Sequence, residues 1–369
     1  MNRSTKKPPI LWGVVWLPLL AFAQPLSLFN HFDKKHYNFS LQYRNANDAI
    51  ALKDEAQYTW NAKGYSPKEG SNIAIISHRA DIGMGIGDWY LGYALRYEMF
   101  VQTDKQTTDI LQLVNTKSDL PLGERYDALL KVYGLASHNL VLSKSFVINP
   151  NFKAFGGVAL LQAFGMQEGF VDAYADIVDT KTYDFEGHSE YYYHKNLLYS
   201  LDVEKPLGYG YSLKMGLEYQ HAQHTFTLLI EDFASAIYWH ELPYSEVSIL
   251  SNTKEYDKDG YVKYKPSLSG FERYEEHTQK LEAKYQLTYN YKHDDRFDTT
   301  LGIGYYQNFL LPFASLTYHS NANIDYTLGY EGRFGALMLG IELYDFKASI
   351  AINDIEYPSA FNVHLSYAF

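Results

Sequence analysis

Apolar and polar residues alternate along much of this chain with a period of two. Tyr37, Phe39, Leu41 and Tyr43 are interleaved with Asn38, Ser40, Gln42 and Arg44. Trp89, Leu91, Tyr93, Leu95, Tyr97 and Met99 form one face of the next clear segment, with Gly92, Ala94, Arg96 and Glu98 on the other. The rhythm returns over Tyr209 to Gln220 and Leu281 to Lys292. It persists through the last third, in Ile324 to Tyr330, Leu337 to Leu343, Ala348 to Ile352 and Phe361 to Phe369. A period of two places successive side chains on opposite faces of a β-strand. Soluble strands usually run to about five or six residues, whereas a tilted strand that crosses a bilayer needs about nine to eleven. The longest runs here match the second figure.

Tyr often stands at the ends of an apolar face, as Tyr209 and Tyr219 do. That is where aromatic rings meet lipid headgroups. Turn residues punctuate the strands: Gly64 to Gly70, Lys292 to Arg296, Ser320 to Asn323, Gly332-Arg333 and Asp345. Such closely spaced breaks imply antiparallel hairpins. The expected fold is all-β, an antiparallel up-and-down transmembrane β-barrel of about 14 strands, within a range of 12 to 16, with long extracellular loops. Three stretches lack clean alternation and are expected to be those loops: Thr103 to Arg125, Asp172 to Glu190 and Leu242 to Thr278. The last is rich in Tyr and small polar residues, which suit a contact surface as well as an ordinary hairpin excursion or lumen plug.

The amino terminus reads differently. Arg3, Lys6 and Lys7 precede a mostly apolar run from Ile10 to Leu20, and Ala21-Phe22-Ala23 follows. This is the layout of a secretory signal peptide, expected to occupy 1–23 and to leave a single barrel domain over 24–369. No later stretch approaches the roughly 18 apolar residues of a helical span. Aromatic residues make up 17% of the chain, 35 of them Tyr, and Cys is absent. A disulfide framework and a thiolate metal site are therefore excluded. The net charge of −11, with no cluster of Lys and Arg, speaks against nucleic acid as a partner.

Phe361, Val363, Leu365, Tyr367 and the terminal Phe369 alternate with Asn362, His364, Ser366 and Ala368. This segment resembles the closing strand of Gram-negative outer-membrane β-barrel proteins. The resemblance implies recognition by the barrel-assembly machinery, pairing with the first strand and a place in the outer-membrane lipid. The chain is also loosely similar to the long-chain fatty-acid transporter fold, from which no site residue carries over. The partner expected for the closing strand is Tyr37 to Arg44, because an open sheet edge in hydrocarbon costs several kcal/mol per unpaired group.

Arg79, Arg96, Lys214, Glu218, Glu282, Lys284 and Glu342 fall on the polar faces and are expected in the lumen. There they either tune ion selectivity or pair with one another and pack the interior. Asp257-Lys258-Asp259-Gly260 lacks the spacing of a calcium loop and reads as a turn. His221 and His224 face opposite sides if the strand is regular. No nucleophile elbow or His-Glu-x-x-His motif is present, and His188 and His194 near Asp184 and Glu190 make no recognisable site. No cofactor is expected. The functional reading is a pore or transporter for small solutes or hydrophobic molecules. The alternatives are a non-conducting barrel that holds a surface partner through its loops and, with least behind it, a hydrolase.

Overall fold

We describe a computed structural model of the chain. The structure describes residues 36–57, 62–195, 203–251, 254–256, 262–264, 267–320 and 323–369. The expected leader, 1–23, and the Asp257 to Gly260 turn lie outside them.

Strands β1 (His36–Asn47), β2 (Ser71–Ile86), β3 (Trp89–Asp104), β4 (Arg125–Asn149) and β5 (Phe152–Asp179) follow one another as antiparallel neighbours. Next comes a strand in two pieces, β6 (Thr182–Tyr193) and β7 (Gly208–His221). Both pair with β5 on one side and β8 (His224–Leu250) on the other. A separate small hairpin, β9 (Lys254–Tyr256) and β10 (Val262–Tyr264), precedes a second split strand. Its pieces, β11 (Leu268–Gln279) and β12 (Lys284–Lys292), both pair with β8. The wall continues through β13 (Phe297–Tyr306), β14 (Phe309–His319), β15 (Ile324–Glu331), β16 (Ala336–Leu343), β17 (Phe346–Ile352) and β18 (Ala360–Ala368). With each split strand counted once, the barrel has 14 strands.

Closure occurs where the sequence pattern places it. β18 pairs antiparallel with β1, from Asn38 opposite Ala368 to Ala46 opposite Ala360. Beyond that ladder, Tyr37 N donates to Phe369 O at 2.8 Å and Phe369 N donates to Tyr37 O at 2.9 Å. In the closing strand Tyr367 and Phe369 are exposed, Phe361 and Leu365 half-buried, and Val363 buried.

The outer face is apolar. Tyr37, Trp89, Tyr219, Phe226, Phe297, Tyr318, Phe346 and Tyr367 are exposed around the end that carries Phe369. Tyr209, Tyr238, Tyr285, Tyr305 and Tyr330 are exposed toward the other end, with Leu and Ile between the two belts. From Tyr209 to Tyr219 a strand runs about 33 Å, or about 25 Å along the normal at a typical barrel tilt, the height of an outer-membrane apolar band. A water-facing protein rarely exposes a patch of more than a few hundred Å2, so the barrel reads as membrane-spanning. Turns at the Phe369 end are short, such as Gly87-Asp88 and Ala222-Gln223, and mark the periplasmic side.

Two of the three expected loops are strands. Asp172 to Glu190 is the tip of β5, a tight turn at Thr180-Lys181, and β6. Leu242 to Thr278 includes the end of β8 and most of β11. β4, β5 and β8 run to 25, 28 and 27 residues. They carry β6 and β11 above the rim set by the short β13–β18 hairpins, as a wall on one side of the mouth. Within Thr103 to Arg125 the chain leaves the sheet between β3 and β4 and forms α2 (Lys105–Thr116), the second helix after the short α1 (Leu52–Gln57) that follows β1. The alternation was hidden by bulges. Phe164 is skipped between β4 and β5, where Gly165 faces Ala136 and Ala163 faces Ser137. Each extra residue exchanges the inward and outward sets beyond it.

Candidate functional site: the barrel waist and lumen

The interior carries a network of charges at mid-height, of which Arg96, Glu98 and Asp232 are buried and the others half-buried. β8 passes through it at Glu231 and Asp232, set in an otherwise apolar run from Leu228 to Phe233. Asp232 has φ +60°, in the left-handed region, and the register with β7 shifts between Ser212 and Lys214. This bulge lets two consecutive carboxylates serve one interior, which regular alternation forbids.

Arg96 on β3 grips Asp232 with both ends of its guanidinium. Nη1 donates to Oδ1 at 3.0 Å and Nη2 to Oδ2 at 2.5 Å. Nη2 also donates to Glu98 Oε2 at 2.7 Å. Lys284 on β12 donates to Glu98 Oε1 at 2.5 Å and stands 3.6 Å from Asp232 Oδ2. Ser212 Oγ completes the Asp232 shell at 2.6 Å. Arg79 on β2 donates through Nε to Asp81 at 2.8 Å and through Nη1 to Glu231 at 3.2 Å. Lys214 sits opposite Glu231 in the β7–β8 ladder. Because β4, β5 and β7 separate β3 from β8 along the wall, the Arg96–Asp232 pair crosses the lumen. Four cations face four carboxylates, so the waist is electrically balanced. Asp232 and Arg96 side chains are 3% and 8% exposed, so the pair is dry and is held by geometry and mutual satisfaction.

Above this belt the interior is apolar. Phe100, Phe334, Met338 and Leu311 form one cluster, and Leu135, Met166, Trp239, Leu242 and Leu281 form another. Tyr133 packs against both. A cavity of about 520 Å3 runs from Asp298, Thr317 and Thr327 past Arg79, Glu98, Glu231 and Lys284 of the belt to Leu311 and Met338 of the first apolar cluster. Near the periplasmic turns His319 is held between two carboxylates, Nε2 at 2.9 Å from Asp298 Oδ2 and Nδ1 at 3.0 Å from Asp325 Oδ2. The apolar clusters thus stand between the outer mouth and this cavity, and the ion-pair belt forms part of the cavity wall.

Of the residues expected in the lumen, Arg79, Arg96, Lys214 and Lys284 meet at the waist. Glu218 and Glu342 line the cavity, 3.8 Å from Lys153 and 2.7 Å from Lys347. Glu282 is a correction: it is exposed in the break 280–283 between β11 and β12, while Leu281 turns into the core. The split strand changes parity there. His221 and His224 flank a turn rather than share one regular strand. A two-residue turn with Ala222 at φ +52° makes them a directly opposed pair, although His224 Nδ1 is occupied by Tyr289 Oη at 2.9 Å. His194 is bound to the Met166 backbone and His188 to Glu190 and Ser248, so the two do not meet. Asp81, Glu98, Glu231, Asp232, Asp298, His319 and Asp325 are further interior groups among the described residues. Glu231-Asp232 could have been found, since adjacent carboxylates in an apolar membrane strand mark an interior site.

No protein-family model matches the sequence, and no curated protein does. Among solved structures, the chain is similar to a deltaS2S3 mutant of the monoaromatic hydrocarbon channel TodX. The identity is 11% over 94% of this chain and 92% of that one, with a TM-score of 0.46. It is similar to the P. putida toluene transporter TodX at 10% identity, with the same two coverages and a TM-score of 0.42. A Pseudomonas aeruginosa FadL homologue is similar at 8% identity, covering 91% of this chain and 88% of that one, with a TM-score of 0.36.

Proposed function

We propose that the protein is an outer-membrane transporter that passes small solutes through a lumen gated at its waist. The observation that carries this reading is the combination of an apolar exterior with an internal cavity into which the cross-lumen belt of Arg79, Arg96, Glu98, Glu231, Asp232 and Lys284 sets its charges. A barrel built only as an anchor needs no internal cavity. A permanently open pore has no use for a dry ion-pair lock. Export would remove residues 1–23, and the barrel-assembly machinery would engage Phe361, Val363, Leu365, Tyr367 and Phe369.

Single-channel recording of the refolded protein in a planar bilayer tests the reading. The native barrel should stay mostly closed, and Asp232→Asn should open in discrete, salt-dependent steps because Arg96 loses its charged partner. Silence from both proteins, each shown to be inserted, would refute a gated lumen. The wall above the rim favours a second role at the cell surface.

A further inference from the structure

The wall has two free sides, and the fold treats them differently. On the β4 side, α2 lies against the sheet. Asp104 caps the helix, its carboxylate accepting from Thr107 N at 2.7 Å. Leu129 N donates to Thr107 Oγ1 at 2.8 Å, and Asp127 N donates to Gln106 Oε1 at 2.9 Å. Ile110 and Leu120 pack with Ala175 and Ile177. Main-chain groups that would invite another strand are covered, a common protection of sheet edges.

The β11 side has no such cover among the described residues. β11 pairs with β8 from Leu268 opposite Ile249 to Gln279 opposite Ile237, and with no other described strand. It is 12 residues long, with Leu268, Phe271 and Tyr274 exposed at 60%, 42% and 50%. A row of main-chain donors and acceptors of this length matches an extended polypeptide, not a sugar or a lipid.

Charge narrows the partner. β11 carries Glu272, Glu275 and Glu276 against Arg273 and His277; Arg273 pairs with Glu275, His240 pairs with Glu276 and Tyr193 donates to Glu272, so the strand is acidic by sequence with each carboxylate in contact with a neighbour. Behind it, Glu246 stands opposite Phe271, and Glu190 stands directly opposite Glu246. Like charges facing each other across strands destabilise a sheet, and Glu246 has no ion-pair partner among the described residues. A second copy of the chain in the same membrane would bring up the same acidic strand and be repelled. From the open edge and its charge we infer that β11 accepts an extended, basic polypeptide segment as an added strand. The inference rests on the fold and stands apart from transport through the lumen.

The test uses the full chain in lipid nanodiscs and a fluorescent peptide of alternating Lys and Val, matched in length to β11. Saturable binding is expected by fluorescence anisotropy. The substitutions Glu272→Lys and Glu276→Lys together should weaken it about tenfold, the sum of lost and reversed cross-strand pairs. N-methylation of every second peptide amide should abolish binding, because those groups make the ladder. No saturable binding would overturn the proposal. So would binding that survives N-methylation, which would show charge attraction without strand addition, and so would binding indifferent to both substitutions.

Discussion

Asp232 shows how much one side chain can hold when water is excluded. It takes both arms of Arg96 and the hydroxyl of Ser212 while lying close to Lys284. Removing one member of a buried pair costs about 3–5 kcal/mol, because the other charge is left unpaired, whereas exchanging both for apolar residues of similar size is often neutral. Asp232→Asn, which tolerates the left-handed φ of this position, should therefore lower the unfolding free energy by about 3 kcal/mol, and the double variant Arg96→Met with Asp232→Asn should recover most of it. Urea titration in detergent, followed by Trp fluorescence, reads both. A loss below about 1 kcal/mol for the single variant would mean that water reaches Arg96 and the waist is not sealed. A second residue-scale expectation concerns Gly302, where an added Cβ would lie 2.1 Å from the Phe313 ring. Gly302→Ala should cost about 1–3 kcal/mol through overpacking. Adding Phe313→Leu should relieve part of that cost, and the same titration decides.

At the scale of elements, α2 is where local chemistry and sheet protection meet. Thr107→Val keeps the helix volume but removes the acceptor for Leu129 N. An amide left without its partner costs about 1–3 kcal/mol if it stays buried. Hydrogen exchange at Leu129 should accelerate markedly, while the amide of Val141, deep in the barrel part of β4, should not change. Equal exchange at Leu129 in both proteins would show that the helix shields the edge by bulk alone. Strands were legible where their parity never changes: β1, β3, β7 and β15 to β18 follow the alternation read from sequence. β4, β5 and β8 were not, for a physical reason. A bulge such as that at Asp232 or Phe164 exchanges the two faces within one strand, so a window spanning it shows no period. Above the membrane the pattern weakens further, since neither face meets lipid: Glu168, Asp172 and His188 share the wall with Phe170 and Tyr192. The waist was half legible for the same reason. Arg79, Arg96, Lys214 and Lys284 lie on regular stretches, whereas Asp232 falls on the outward parity unless the bulge is known.

For the whole molecule, closure is the step on which every other feature depends. The β1–β18 seam joins residues more than three hundred positions apart in the chain, so it forms late and must select one register out of several that differ by two residues. Phe369 fixes that choice at the periplasmic end. Its N–H and C=O both bond to Tyr37, and its ring stacks on Tyr37 at 5.5 Å and on Tyr367 at 5.4 Å. A register slipped by two residues would leave those main-chain groups without partners in or near hydrocarbon, at several kcal/mol. Deleting Phe369 should therefore lower the yield of compact, heat-modifiable barrel on refolding into detergent or vesicles. Phe369→Tyr, which keeps the ring and both bonds, should fold like the native chain, and Phe369→Ala should fall between. If the deletion folds as well as the native protein, the ladder from Asn38 to Ala46 specifies the register by itself. The effect of Phe369 in cells would then belong to its recognition during assembly rather than to the stability of the closed wall.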